Sequence, residues 1–171
     1  MRRRLALAGL LLLLAACGGG SDGGAPFVES RIPPQLGPRF WAPEGWAWGL
    51  LKVGDAPAQR YGVSSTLVTP QAQILILTGY GESAEAWFET ARDLNRHGYS
   101  VWVLERSGQG GSERYDLPRD LGHAPQFRDD IRAVKTLSRM MAAAAPRTPI
   151  ILLGHAVGGL VAVAAIEQGA P

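Results

Sequence analysis

One short segment in the last quarter of the sequence combines glycines with a position where a nucleophile would stand. It reads Gly154-His155-Ala156-Val157-Gly158-Gly159, directly after an apolar run and directly before a helical pattern. In a strand-turn-helix arrangement of the form Gly-x-Ser-x-Gly, the serine sits on a strained turn and the glycines let the backbones approach closely. Gly154 and Gly158 fill the glycine positions, but Ala156 replaces the serine and has no oxygen to attack a carbonyl.

Three earlier segments precede this turn. They are Thr78-Gly79-Tyr80-Gly81-Glu82-Ser83, then Ser107-Gly108-Gln109-Gly110-Gly111-Ser112, then Gly122-His123 with Phe127. In this order the four segments resemble those of α/β-hydrolases of the lysophospholipase and monoacylglycerol lipase type, also described as the serine aminopeptidase S33 type. The resemblance spans about residues 60–170. It implies the α/β-hydrolase fold, a mostly parallel sheet with helices on both faces.

The resemblance also implies roles for individual residues. The backbone N–H groups of Tyr80 and Val157 would form an oxyanion hole, and the ligand would be a hydrophobic ester or acyl group. The acid and base of such a triad follow the serine in the order Asp or Glu, then His. After Ala156 the chain has no Asp or His, and its one carboxylate is Glu167. We therefore expect this chain to be inactive, although its intact relatives would hydrolyse lipid-like esters.

Two departures and three histidines qualify the resemblance. Thr78 and Ser107 stand where these relatives commonly have His or Pro and Arg, respectively. We expect His97 to lie at a helix end as a surface or capping group, His123 to pack structurally and His155 to flank the turn without a catalytic role. The spacing of the histidines fits no metal site, and the sequence predicts neither a metal nor a cofactor.

Two other interpretations remain open. Gly79-x-Gly81-x-x-Ala84 follows a buried strand and opens a helix, and Glu105 ends the next strand, as in a dinucleotide-binding fingerprint of the Rossmann type. Alternatively, the hydrolase fold serves as a non-catalytic module that binds acyl groups or lipids, which Ala156 favours.

Apolar periodicity predicts the elements that carry these segments. Trp46–Val53 and Ala58–Ser64 form a pair of strands, after which strands alternate with helices. One helix carries an apolar stripe of Phe127, Ile131, Val134, Leu137 and Met141 and ends before Pro146. The remaining predicted elements are strands at Gln73–Leu77, Tyr99–Leu104 and Pro149–Leu153, and helices at Ala84–His97 and Val157–Gln168.

The sequence also predicts an incomplete sheet. The strand Pro149–Leu153 normally has a further parallel strand beside it, and we expect the fold to be truncated after the helix Val157–Gln168. An unpaired apolar strand edge and exposed apolar patches should follow. A domain of the usual size would need roughly 100 further residues.

The amino-terminal residues predict export and lipidation. Three arginines and a short apolar run precede Leu14-Ala15-Ala16-Cys17, which resembles the lipobox of bacterial lipoproteins. Residues 1–16 would be a signal peptide, Cys17 the lipidated amino terminus, residues 17–45 a tether and extended lead-in, and residues 46–171 the amino-terminal half of the hydrolase domain. The partner would be a membrane, reached through the lipid anchor in the cell envelope. Gly18 favours the outer membrane and a periplasmic face.

Charge and aromatic content bear on further partners. Of the 17 basic residues three lie in the leader, which leaves 14 basic against 15 acidic residues and removes the electrostatic case for nucleic acid. Four aromatic residues, Phe40, Trp41, Trp46 and Trp48, cluster where the lead-in meets the domain. A cluster of this kind fits a role in covering the edge of a core better than a role in contacting a lipid interface, but both interpretations remain open.

Overall fold

A five-stranded sheet organises the part of the chain described by this computed structural model, residues 37–116, 118 and 121–170. The predicted signal peptide, Cys17 and the lead-in as far as residue 36 lie outside the described residues. The compact unit begins at Gly37, and a turn of 3-10 helix at Pro38–Phe40 packs against α-helical residues of the domain. The strands are β1 (Ala47–Leu51), β2 (Gln59–Ser64), β3 (Ala72–Leu77), β4 (Tyr99–Leu104) and β5 (Ile150–Gly154).

The sheet is mixed, with the strand order β1-β2-β4-β3-β5. β1 and β2 form the predicted antiparallel pair, and β2 lies antiparallel to β4. β3, β4 and β5 are parallel, with β3 between the other two. Their apolar runs predict that all three are buried, which is wrong for β5, because it is the edge strand and none of its residues is buried. Parallel neighbours need a crossover, and helices supply it here. Their carboxyl ends therefore lie together at one edge of the sheet, hereafter the catalytic edge.

Helices cover both faces of the sheet. They are α1 (Phe88–Arg96), α2 (Arg128–Ala144) and α3 (Val157–Glu167). Apolar side chains alternate between the faces along each strand, so β3 contributes to two cores and is buried throughout. One core lies under α2 and α3 and includes Leu75, Leu77, Leu104, Leu137, Met141 and Val161. The other lies under α1 and includes Ile74, Ile76, Ala91, Val101 and Val103.

Two predicted helices begin later than their sequence patterns indicate. The segment predicted as one helix from Ala84 starts as a 3-10 turn at Ala84–Trp87, and α1 begins only at Phe88. Phe127 precedes α2 and is exposed, so it does not belong to the buried stripe. Its ring instead lies under the Arg106 guanidinium, 5.4 Å from the ring centroid.

The predicted apolar edge is confirmed within the described residues. β5 ends the strand order, and its Ile151 is exposed, as are Leu160, Val163 and Ile166 of α3. None of these four side chains belongs to either core of the sheet. Within the same residues no helix has the length and apolar content needed to cross a membrane.

Candidate active site

The turn between β5 and α3 has the backbone of a nucleophile elbow. Ala156 adopts φ 48° and ψ −121°, a conformation that non-glycine residues rarely occupy. The turn is closed by hydrogen bonds from the Gly158 amide to the carbonyl of His155 (2.8 Å) and from the Gly159 amide to that of Ala156 (3.0 Å). The Ala156 methyl group is thereby exposed at the catalytic edge, where a serine side chain would reach a substrate.

The two predicted elbow glycines are required by close backbone approaches. A Cβ on Gly154 would lie 2.4 Å from the Cα of Gly159. A Cβ on Gly158 would lie 2.3 Å from the carbonyl oxygen of Leu77 in β3. By contrast, a Cβ on Gly159 would meet its nearest neighbour, the Gly154 carbonyl oxygen, at 3.4 Å. Only the first two positions therefore exclude a side chain by backbone contact.

The turn after β3 presents the Tyr80 amide at its tip. The Gly79 amide donates to Oε2 of Glu82 (2.7 Å), and the Gly81 amide donates to Oε1 of Gln109 (2.6 Å). In the described part of the chain, neither the Tyr80 amide between them nor the Val157 amide at the start of α3 donates a hydrogen bond. These are the two donors that the resemblance assigns to an oxyanion hole, and both remain available to an external acceptor.

A pair of side chains joins this turn to the elbow. Nδ1 of His155 lies 2.7 Å from Oε1 of Glu82, whose other oxygen accepts the Gly79 amide and, at 3.3 Å, the Trp87 indole N–H. The Trp87 ring packs edge-on against the imidazole, with 5.8 Å between centroids. Sequence reasoning did not find this pair, although both residues lie in the quoted motifs, because the motifs are 73 positions apart and only the β3–β5 pairing brings them together.

Glu105 is the fully buried centre of a network that supports the loops of the catalytic edge. Its carboxylate accepts hydrogen bonds from Arg60 Nη2 (2.6 Å), the Ala84 amide (2.7 Å) and the Gly111 amide (2.7 Å). These contacts occupy both oxygens, so the carboxylate is not available to accept hydrogen bonds from a ribose. The arrangement therefore gives no support to the dinucleotide-binding interpretation of Gly79, Gly81, Ala84 and Glu105.

Arg60 links this network to a second carboxylate. Its guanidinium also contacts Glu85 Oε1 (2.9 Å) and lies 4.0 Å from the Trp48 ring centroid. The hydrogen bond with Glu105 raises the pKa of Arg60 against the opposing effect of burial. Burial alone would raise the pKa of Glu85, but hydrogen bonds and the Arg60 charge outweigh it and lower that pKa. Arg60 and Glu85 are therefore both charged at neutral pH.

The departures at Thr78 and Ser107 are accommodated by local hydrogen bonds. The buried Thr78 hydroxyl donates to the Leu104 carbonyl at 3.4 Å. Ser107 is also buried; its amide donates to Asp130 Oδ1 (2.9 Å), and its hydroxyl accepts from Gln59 Nε2 (2.8 Å). Both side chains thus stabilise the backbone below the catalytic edge rather than face a ligand.

The other two histidines lie apart from the elbow. His97 is the C-cap residue directly after α1, and its Nδ1 lies 2.7 Å from the Asp93 carbonyl, which confirms the predicted capping position. The His123 side chain is half exposed, 3.9 Å from Asp116, so the prediction that it packs structurally is wrong for the ring. Its backbone carbonyl is what packs, against Gly108. The described residues contain no group of three or more His, Cys, Asp or Glu side chains placed to hold a metal.

Comparisons with known proteins agree with this geometry. The chain is 33% identical over 101 residues to the monoacylglycerol lipase of Mycolicibacterium smegmatis, an alignment that covers 58% of this chain and 34% of that protein. It is 28% identical over 100 residues to the probable lysophospholipase L2 of Haemophilus influenzae, covering 56% of this chain and 31% of that protein. The chain thus spans about a third of the length of the curated relatives it matches.

A solved structure and a family match establish the fold and the family. A soluble variant of monoglyceride lipase from Saccharomyces cerevisiae, in complex with a substrate analogue, superposes with a TM-score of 0.54 at 19% identity, covering 72% of this chain and 40% of that one. The fold is therefore that of the α/β-hydrolases. Residues 68–171, more than half of the chain, match the family described as serine aminopeptidase, S33. The chain belongs to the serine aminopeptidase S33 family of α/β-hydrolases.

Proposed function

We propose that the catalytic edge is an acyl- or ester-binding site of the serine-hydrolase type that has lost its nucleophile. The observation that carries the proposal is Ala156, a non-glycine residue held at φ 48° on a turn shaped for a serine. The ligand class is a hydrophobic carboxylic ester or its acyl product. Relatives with a serine at this position would hydrolyse such esters, as the names of the curated relatives suggest.

The binding chemistry would rest on the two available amides. A carbonyl or carboxylate oxygen placed over Ala156 would accept hydrogen bonds from the Tyr80 and Val157 N–H groups. Val157 begins α3, so the helix dipole adds a favourable interaction with negative charge there. Such a site stabilises an oxyanion by hydrogen bonds alone and forms no covalent bond to it.

Ester turnover is not expected from this arrangement. Removing the triad serine of a comparable hydrolase lowers the rate by a factor of roughly 10⁶, about 8 kcal/mol of barrier. The contacts of the three imidazoles are with other groups: His155 with Glu82, His97 with the Asp93 carbonyl and His123 with Asp116. We therefore propose a non-catalytic role, in which the site binds an acyl group or ester without cleaving it.

Tryptophan fluorescence would test the binding proposal, because Trp87 packs against His155 beside the site. Titration of the purified full chain with palmitate should give a saturable change, whereas NAD should give none. Tyr80→Pro removes the amide donor and should weaken palmitate binding roughly tenfold or more, whereas Tyr80→Phe keeps the amide and serves as the matched control. Saturable binding of NAD without binding of palmitate would overturn the proposal in favour of a dinucleotide site.

We further propose that Cys17 is lipidated and holds the protein in the cell envelope, on the periplasmic face of the outer membrane. The support is the sequence Leu14-Ala15-Ala16-Cys17-Gly18, with Cys17 the single cysteine of the chain. Multiple acyl chains on one residue would anchor the protein stably, which a single chain does not. Cells grown with a palmitate analogue should label the wild-type protein and not Cys17→Ala. Equal labelling of both would refute the anchor.

A further inference from the structure

The loop between β2 and β3, residues 65–71, exposes two adjacent apolar side chains. Leu67 is fully exposed (100%) and Val68 is 66% exposed. The Val68 amide bonds only to the nearby Thr66 hydroxyl, at 3.4 Å, so the loop tip is held by a local turn and not by packing. Single exposed apolar residues are ordinary, but two neighbours at the tip of a projecting loop form a wedge that water solvates poorly.

An open groove continues this apolar surface towards the entry of the chain into the domain. The groove has a volume of about 590 Å3 and is lined by the loop, by Pro43 and by the outer face of α1 at Arg92 and Arg96. Nη1 of Arg92 donates to the carbonyl of Trp41, at 2.5 Å, and the Trp41 side chain is 61% exposed. We call Trp41, Leu67, Val68, Arg92 and Arg96 the wedge surface.

The charges of the wedge surface nearly cancel. Arg96 forms an exposed ion pair with Asp93, and Glu44 in the groove offsets Arg92. The surface therefore offers no electrostatic attraction to an acidic protein or a nucleic acid. It combines an indole ring, two aliphatic side chains and arginine stems, which is the composition favoured at the interface of a lipid bilayer, where long cationic side chains reach the headgroups.

Topology places the wedge surface at the edge of the sheet opposite the catalytic edge. β2 is antiparallel to β4, with Ser64 paired to Val101 near the beginning of β4, so the loop after β2 lies at the amino ends of the parallel strands. α1 ends at Arg96 just before β4 begins at Tyr99. The chain also enters the domain here, because the Pro38–Phe40 turn packs against α1 and is followed by Trp41.

We propose that the wedge surface is a membrane-contact surface that inserts into the headgroup region of a phospholipid bilayer, with the catalytic edge turned away from that bilayer. The point where the chain enters the domain favours a membrane as the partner of the wedge surface. A lipid anchor upstream would bring this face of the domain to the bilayer first. Acyl or ester ligands would then reach the site from the aqueous side. The choice of a membrane as the occupant rests on the proposed lipidation of Cys17 and does not depend on what the catalytic edge binds.

Fluorophore accessibility tests this orientation on the full chain. Leu67→Cys and Leu121→Cys, the latter on the loop whose Gly122 adjoins Tyr80 and Gln109, are each labelled with a small fluorophore and mixed with vesicles of phosphatidylcholine and phosphatidylglycerol. Wild-type chain treated with the same label gives the background from Cys17. We expect position 67 to lose quenching by aqueous iodide and to gain quenching by brominated lipid, whereas position 121 keeps iodide quenching.

A second substitution separates insertion from mere proximity to the vesicle. Val68→Asp in the labelled Leu67→Cys chain should restore iodide quenching, whereas Met140→Asp, at an exposed position of α2, should not. Iodide quenching that is unchanged by vesicles at position 67, or a chain that does not associate with them, would overturn the proposal. Shielding of position 67 that is the same without vesicles would indicate contact with a second copy of the chain instead and would also overturn it.

Discussion

Glu82 and His155 are in direct contact: Nδ1 of the imidazole lies 2.7 Å from Oε1 of the carboxylate. The contact connects the turn after β3 with the elbow after β5, and so fixes the Tyr80 amide relative to the Val157 amide. In a relative with a serine at the elbow, the same contact would hold the oxyanion hole in register with the nucleophile. In this chain the contact preserves the shape of the site, although Ala156 supplies no nucleophile.

Replacing Glu82 by Ala should therefore loosen the site. The substitution leaves the Gly79 amide, the Trp87 indole and His155 without their shared acceptor. We expect the free energy of unfolding to fall by about 2 kcal/mol, the range for hydrogen bonds to a charged group, and palmitate binding to weaken with it. Urea denaturation measures the first effect. Glu89→Ala, at an exposed position of α1, is the control and should change stability by less than about 0.5 kcal/mol.

Much of this site can be predicted from local sequence. The strand-turn-helix character of residues 150–167 and the two elbow glycines are properties of neighbouring residues, so pattern and spacing predict them. The antiparallel pair and the three parallel strands are predicted by apolar periodicity in the same way, although β5 is not buried as its apolar run indicates.

What the sequence does not reveal depends on contacts between distant segments. Glu105 looks like a ribose ligand by its position after β4, but its partner Arg60 lies 45 residues earlier, on a strand that becomes a neighbour only when β2 pairs with β4. Trp46, predicted with its neighbours as a cluster covering a core edge, does pack on Phe88, 4.8 Å between ring centroids. The exposure of Trp41 is set by the fold and has no local signal.

Two adjacent glycines at the start of α3, Gly158 and Gly159, provide a pair of substitutions with different expected effects on stability. Gly158→Ala places a methyl group 2.3 Å from the Leu77 carbonyl oxygen, whereas Gly159→Ala finds its nearest contact at 3.4 Å. We expect Gly158→Ala to lower the free energy of unfolding by about 1–3 kcal/mol through overpacking. Gly159→Ala, inside α3, should be neutral or stabilising by up to about 1 kcal/mol. Thermal or urea unfolding of both variants checks this, and equal effects would contradict the close approach of β3 and α3.

Backbone strain at the nucleophile position should be measurable directly. With φ 48° and ψ −121°, Ala156 occupies a region that costs a non-glycine residue about 1–3 kcal/mol. Ala156→Gly should therefore raise the free energy of unfolding by about 1 kcal/mol. Ala164→Gly, inside α3, should lower it by a similar amount, since glycine disfavours a helix interior by about 1 kcal/mol. A loss of stability in both variants would show that Ala156 is unstrained.

The Arg60–Glu105 pair predicts a large stability difference between two arginines. Arg60→Met leaves the fully buried Glu105 carboxylate without its cationic partner, which typically costs about 3–5 kcal/mol. Arg96→Met breaks the exposed pair with Asp93, for which about 0–1 kcal/mol is expected. Urea denaturation of the two variants compares them. Similar stabilities would mean that the Glu105 network does not hold the loops of the catalytic edge.

Ester turnover by the purified full chain tests the central claim most directly, because Ala156 supplies no nucleophile at the elbow. We predict that neither the wild-type chain nor Tyr80→Pro hydrolyses short- or long-chain p-nitrophenyl esters faster than the uncatalysed background. We also predict that Ala156→Ser does not restore activity, since the described residues place no base beside that position. Robust turnover by the wild-type chain that persists in Tyr80→Pro would contradict the account, because the chemistry would then lie away from the elbow.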